Sequence, residues 1–133
     1  MSQSKLRAAV PGYDLRASLQ DSPLRIDPGE IFSIPTTVFV ALDPGYALFV
    51  HSRSGLARLG VVVAHGVGVV DSDYRGEVRV LLRNLSEKPI FITNRERIAQ
   101  AVIQKIETPT WVRVESLDET GRGDGGFGST GRS

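Results

Sequence analysis

The apolar residues of this chain come in short β-branched runs rather than at helical spacing, and Gly, Pro, Asp and Asn interrupt those runs throughout. That pattern predicts an all-β domain. Strands are expected around Ile31 to Ile34, Thr37 to Leu42, Tyr46 to Val50, Gly66 to Val70, Glu77 to Asn84, Lys88 to Ile92 and Ile98 to Ile106, with a last short one at Trp111 to Val114. Asp27-Pro28-Gly29-Glu30 and Asp43-Pro44-Gly45-Tyr46 predict turns that each join two strands, because proline presets φ at the first corner and glycine accepts a positive φ at the second. One helical piece is expected over Arg53 to Leu59, with Ser52 as its cap and Gly60 as its end.

A length of 133 residues gives room for one core and too little for two. The body is expected to occupy residues 1–120. From Gly121 the composition changes: Gly121 to Gly131 holds six glycines and a single aromatic, Phe127. Such a segment buries too little apolar surface to order itself, so residues 121–133 are expected to form an arm that is disordered alone and folds over something that binds.

Sixteen Lys and Arg stand against fifteen Asp and Glu, so the formal charge of +1 supplies no global field for gripping a polyanion such as DNA. Direct nucleic-acid binding is therefore not expected, and any anion must be held locally. The absence of cysteine removes disulfides, thiolate metal sites and cysteine nucleophiles together. Met1 to Val10 contains no apolar run and no stretch approaches the ~18 apolar residues of a membrane span, so a cytoplasmic protein with no membrane partner is expected.

The most informative segment is Gly68-Val69-Val70-Asp71-Ser72-Asp73-Tyr74-Arg75-Gly76-Glu77, two strands joined by a polar turn that contains an aromatic. Asp71-x-Asp73-x-Arg75 fails as a calcium loop because its third ligand position is basic. His51 and His65, the only histidines, are not at metal-ligand spacing. The arm lacks the lysine of a Walker sequence, which excludes a P-loop nucleotidase.

In its surroundings, the hairpin resembles the third motif of the trimeric dUTPases. Pro11-Gly12-Tyr13-Asp14-Leu15-Arg16-Ala17 is similar to the family's first motif and Arg53-Ser54-Gly55-Leu56-Ala57 to its second. Arg95-Glu96-Arg97-Ile98-Ala99-Gln100 is similar to the fourth, and Arg122-Gly123-Asp124-Gly125-Gly126-Phe127-Gly128-Ser129-Thr130-Gly131 to the fifth. Five motifs in the family's order make coincidence a poor explanation. The resemblance implies a jelly-roll-like β-clip barrel that assembles as a homotrimer. It also implies hydrolysis of dUTP to dUMP and pyrophosphate, which limits uracil incorporation into DNA and supplies dUMP for dTMP synthesis.

Residue roles follow from the same resemblance. Asp71 would deprotonate the water that attacks the α-phosphorus, and one positioned carboxylate suffices for that step. Tyr74 would lie flat against the deoxyribose, where a 2′-hydroxyl clashes. Backbone groups near Gly66, Val69 and Val70 would read uracil, with His65 close to the base. Arg53, the Ser54 hydroxyl, the Gly55 N–H and Gln100 would cradle the triphosphate, with Arg79 within reach of phosphate and Arg97 as a structural ion-pair partner. Mg2+ would be held by phosphates and water, with Asp14 acting through metal-bound water. Arg122, Phe127, Gly128 and Ser129 would close the arm over the nucleotide. The same fold houses dCTP deaminases, but where they carry a catalytic glutamate this chain has Leu81. A dUTP-gated binding protein is the second alternative.

Overall fold

The structure is a computed structural model that describes residues 12–132. Pro11, which opens the first motif, lies outside them. Nine strands and one five-residue helix make up the regular structure of the described residues: β1 Tyr13–Arg16, β2 Leu24–Ile26, β3 Ile31–Val38, β4 Tyr46–Ser52, α1 Ser54–Arg58, β5 Val61–Val63, β6 Gly68–Val70, β7 Val78–Asn84, β8 Ile90–Ile92 and β9 Arg97–Lys105. The all-β expectation therefore holds. All pairings are antiparallel, in a four-stranded sheet ordered β1-β9-β4-β6, a three-stranded sheet β3-β7-β5 and a pair β2-β8. Among the described residues the sheets stay open and do not close into the barrel expected from the resemblance, because β1 and β6 at the edges of the four-stranded sheet do not pair with each other.

Period-two alternation explains how the sheets meet. Along β7, Val78, Val80, Leu82 and Asn84 are buried while Arg79 and Arg83 face outward. The buried set joins Ile34 of β3, Ile26 of β2, Ile92 of β8, Ile98 of β9 and Val61 of β5 in one apolar cluster. Each such side chain contributes roughly 1.5–3 kcal/mol on leaving water. Asn84 is the polar exception and is fully buried. Its amide donates to the carbonyls of Ile26 (3.0 Å) and Lys88 (2.7 Å), and its Oδ1 accepts from the Ser86 N–H and hydroxyl. It thereby ties β2, β7 and the approach to β8 together with no bond left open.

Several boundaries move. The expected strands at Ile31 and Thr37 form one strand, β3, whose register against β7 slips between Pro35 and Val38, and residues 39–42 are not strand. Gly66 belongs to a turn, with φ at +79°, and β6 starts at Gly68. Lys88 and Pro89 precede β8. Ser52 does not cap α1: it ends β4 and its Oγ accepts from the Val63 N–H at 2.8 Å, which links β4 to β5. Gly60 does end the helix, with φ at +87°. Both Asp-Pro-Gly turns form as expected, each closed by an N–H returning to the aspartate carbonyl.

The strand expected at Trp111 to Val114 does not form. Trp111 is 91% exposed, and Val112, Val114 and Leu117 are exposed as well. A strand exists only where another backbone pairs with it, and none of the described residues does so there. Among the described residues no helix is long and apolar enough to cross a membrane.

Thr37 sits at the β3 irregularity with φ at +58°. A left-handed conformation costs a side-chain-bearing residue about 1–2 kcal/mol and is least tolerable for a β-branched one. Allowing for the greater freedom of glycine in the unfolded chain, Thr37→Gly is expected to stabilise the fold by about 0.5–1 kcal/mol. Urea unfolding at fixed protein concentration measures this, and an unchanged or lowered midpoint would mean the bend carries no strain.

Candidate active site

Asp71 follows β6 directly and opens a turn closed by the Tyr74 N–H, which donates to the Asp71 carbonyl at 3.2 Å. Arg75 braces this turn from outside, its Nη1 donating to the carbonyls of Ser72 (2.7 Å) and Tyr74 (3.1 Å). Asp71 and Tyr74 are both exposed and line one cavity of about 210 Å³ together with His65, Val69, Val70 and Arg79. His65 stands against Gly68, where an added Cβ would lie 3.2 Å from the imidazole Nε2.

Among the described residues β6 is an edge strand of its sheet, paired only with β4. An edge strand leaves half its backbone N–H and C=O groups without ladder partners. That edge therefore presents peptide groups to the cavity.

Arg79 faces this cavity, as its strand period requires, but its guanidinium is already engaged. Nε and Nη2 donate to the Ser33 hydroxyl and carbonyl, each at 2.8 Å, and Nη1 lies 3.2 Å from Glu77 Oε1.

A second cluster forms where β1, β9 and β4 run side by side. Asp14 is opposite Gln100, and Gln100 is opposite His51. Asp14 lies between two arginines, 3.3 Å from Arg53 Nε and 3.6 Å from Arg97 Nη1. The Arg97 ion pair expected from sequence is thus formed. Arg53 also donates from Nη1 to the Arg97 carbonyl at 3.3 Å. Its Nε is buried and, despite its nearness to Asp14, is not aligned to donate. Ser54 and Gly55 follow at the exposed start of α1, a helix too short for a large dipole. Among the described residues no three His, Cys, Asp or Glu side chains converge on a metal position.

The two clusters are not neighbours within one chain. Val70 pairs with Leu48, so Asp71 lies level with Ala47, whereas Gln100 pairs with His51 and Arg53 follows two residues on. Four to six residues of β4 separate them, roughly 14–20 Å at ~3.4 Å per residue.

The arm touches neither cluster. Arg122 Nε donates to the Gly125 carbonyl at 2.6 Å, and the Ser129 N–H donates to Gly126 at 3.0 Å. Phe127 projects wholly into solvent, and Gly128 and Ser129 are exposed beside it.

The chain matches the dUTPase family model over residues 3–131. It belongs to the dUTPase family. It is 48% identical over 124 residues to the deoxyuridine 5'-triphosphate nucleotidohydrolase of Desulfitobacterium hafniense (strain DSM 10664 / DCB-2), covering 92% of this chain and 82% of that one. It is 46% identical over 121 residues to the enzyme of the same description from Orientia tsutsugamushi (strain Boryong), covering 90% and 81%. Among solved structures it resembles the Staphylococcus bacteriophage 80alpha dUTPase with dUPNHPP, at a TM-score of 0.85 and 26% identity over 97% of this chain and 90% of that one.

The sequence did not single out Gly76, Glu77 or Ser33, which set the positions of Tyr74 and Arg79. The strand period signals Glu77 and Arg79 as a pair, whereas only the fold brings Ser33 to them.

Arg97 is half exposed beside Asp14, and exposed ion pairs contribute little. Arg97→Ala is expected to cost less than about 1 kcal/mol in chemical unfolding. A loss of several kcal/mol would show that this dUTPase depends on the pair for its fold.

Proposed function

We propose that this chain is a dUTP diphosphatase in which Asp71 activates the attacking water. The observation that carries the reading is the single turn that holds Asp71 and Tyr74 on one cavity rim beside an edge strand. Uracil lies against the β6 edge, where the backbone at Gly66, Val69 and Val70 imitates a pairing partner and His65 stands near the base. A backbone slot leaves no space for a 5-methyl group, and its fixed donors and acceptors reject cytosine. The Tyr74 ring takes the sugar and excludes a 2′-hydroxyl.

Arg53, the Ser54 hydroxyl, the Gly55 N–H and Gln100 bind the phosphates with charge-assisted and neutral hydrogen bonds. Arg79 adds positive charge at the cavity wall while remaining tied to Ser33 and Glu77. Water attacks the α-phosphorus, its proton passes to Asp71, and the bond from that phosphorus to the bridging oxygen breaks to release pyrophosphate. The carboxylate set fits Mg2+, because one acidic residue near the phosphate cradle suits an ion held chiefly by phosphates and water. When bound, the ion would neutralise phosphate charge, with Asp14 accepting from its water. Phe127 stacks on the base and excludes solvent, while Arg122, Gly128 and Ser129 meet the terminal phosphate.

Sites shared between three copies of the chain reconcile the geometry. A separation of roughly 14–20 Å along β4 is too long for one chain's Asp71 and Arg53 to serve the same α-phosphate. The exposed apolar residues from Trp111 to Leu117 give neighbouring copies a surface to cover.

Incubation with dUTP, dCTP, dTTP or UTP in the presence of Mg2+ is expected to yield pyrophosphate from dUTP alone. Asp71→Asn should lower kcat by roughly 10²–10⁴ and keep nucleotide binding. Tight dUTP binding without pyrophosphate release by the wild type would instead identify a nucleotide-gated binding protein. In a second experiment, inactive Asp71→Asn chains are mixed with inactive chains truncated before Arg122. Partial activity should return, since some sites then combine an intact loop with an intact arm, and zero recovery despite confirmed exchange would rule out shared sites.

A further inference from the structure

Gly76 lies between Arg75 and Glu77, and its φ is outside the left-handed region, so the backbone itself does not demand glycine. Space does. An added Cβ would stand 2.6 Å from Tyr74 Cζ and 3.1 Å from Cε2, and closer still to the hydroxyl. Carbon atoms do not approach so closely, and the Tyr74 ring has little freedom to retreat. Its N–H donates to the Asp71 carbonyl at 3.2 Å and its hydroxyl to the Glu77 carbonyl at 3.0 Å, so the residue is held at both ends. The hydroxyl end of the ring rests on bare Gly76 backbone while the side chain lines the cavity shared with Asp71.

We infer that Gly76 is a positioning residue for sugar selectivity: its missing side chain sets how far the Tyr74 ring stands back and hence the space left at C2′ of the nucleotide. The inference rests on the dUTP reading above. A methyl group inserts one bond of about 1.5 Å under the ring, similar to the C–O bond by which ribose exceeds deoxyribose. A displacement of that size is large enough to change which sugar is accepted. Gly76 touches no substrate in this account and acts only through Tyr74.

The test is a double-mutant cycle on the full-length protein with Gly76→Ala, Tyr74→Ala and the pair. The ratio of kcat/KM for dUTP to that for UTP should fall at least about tenfold in Gly76→Ala, and the pair should be no worse than Tyr74→Ala alone. An unchanged ratio in Gly76→Ala, or an equal fall in the Tyr74→Ala background, overturns the inference. If Gly76→Ala does not fold, Tyr74→Phe replaces it: the ring stays, the bond to Glu77 is lost, and the ratio should still drop measurably, with no drop counting against the inference. Thermal melts of the same proteins separate this inference from the proposed activity. Gly76→Ala should lower the midpoint only where Tyr74 is present, and an equal lowering in both backgrounds overturns the contact even if no nucleotide is hydrolysed. Absent pyrophosphate release with an intact melting cycle would refute the activity alone.

Discussion

The register of β4 constrains everything the molecule can do. It pairs on one side with β6, which delivers Asp71, and on the other with β9, which presents Gln100 beside Asp14, and its own end leads out to Arg53. A strand rises by about 3.4 Å per residue and does not bend back on itself, so these two groups of polar residues are fixed at opposite ends of one rigid element. No loop rearrangement within a chain brings them together. In the shared-site arrangement proposed above, one copy's loop would stand against another copy's arginines while each stays on its own rigid sheet.

Rigidity at each end has local causes that do not depend on association. The Asp71 turn is closed by its own backbone and braced by Arg75, and the neighbouring Arg79 is held by Ser33 and Glu77. Arg53 and Arg97 converge on the Asp14 carboxylate. Prearranged donors stabilise developing charge without having to reorganise during reaction, which makes such bracing useful to a phosphoryl-transfer site. It also explains why polar residues at the surface of a small domain can be ordered: β7, buried on alternate residues, anchors one group, and β9, buried at Ile98, Ala99 and Ala101, anchors the other.

Much of this was legible in the sequence. Long strands such as β7 and β9 announce themselves by their β-branched residues, β4 by an apolar run that follows a turn, and the Asp-Pro-Gly turns by a chemistry that has few other uses. β1, β2 and β5 are three or four residues long, too short to display a period. Trp111 to Val114 has the composition of a strand but no partner among the described residues, and composition alone does not supply one. At the site, Asp71 and Tyr74 could be identified because a motif keeps them three residues apart in a turn. Gly76 could not, because a glycine in a turn is ordinarily read as a conformational requirement, whereas here the reason is contact with a ring. Ser33 is separated from Arg79 by 46 residues, and only sheet pairing joins them.

The closure proposed for the arm would meet a requirement the rigid sheets leave unanswered. A hydrolase that uses one water molecule as reactant must admit nucleotide from solvent and then exclude the rest of that solvent. A permanently closed cavity fails the first condition and an open rim fails the second. Six glycines between residues 121 and 131 give a segment that costs considerable entropy to order, a cost that the closure proposed above would offset through contacts with phosphates and base. Phe127, wholly exposed in the structure, would gain most from that closure, since burying an aromatic ring recovers its full apolar area. On that proposal closure would depend on the presence of the correct ligand, and water exclusion would be part of recognition rather than a fixed property of the fold.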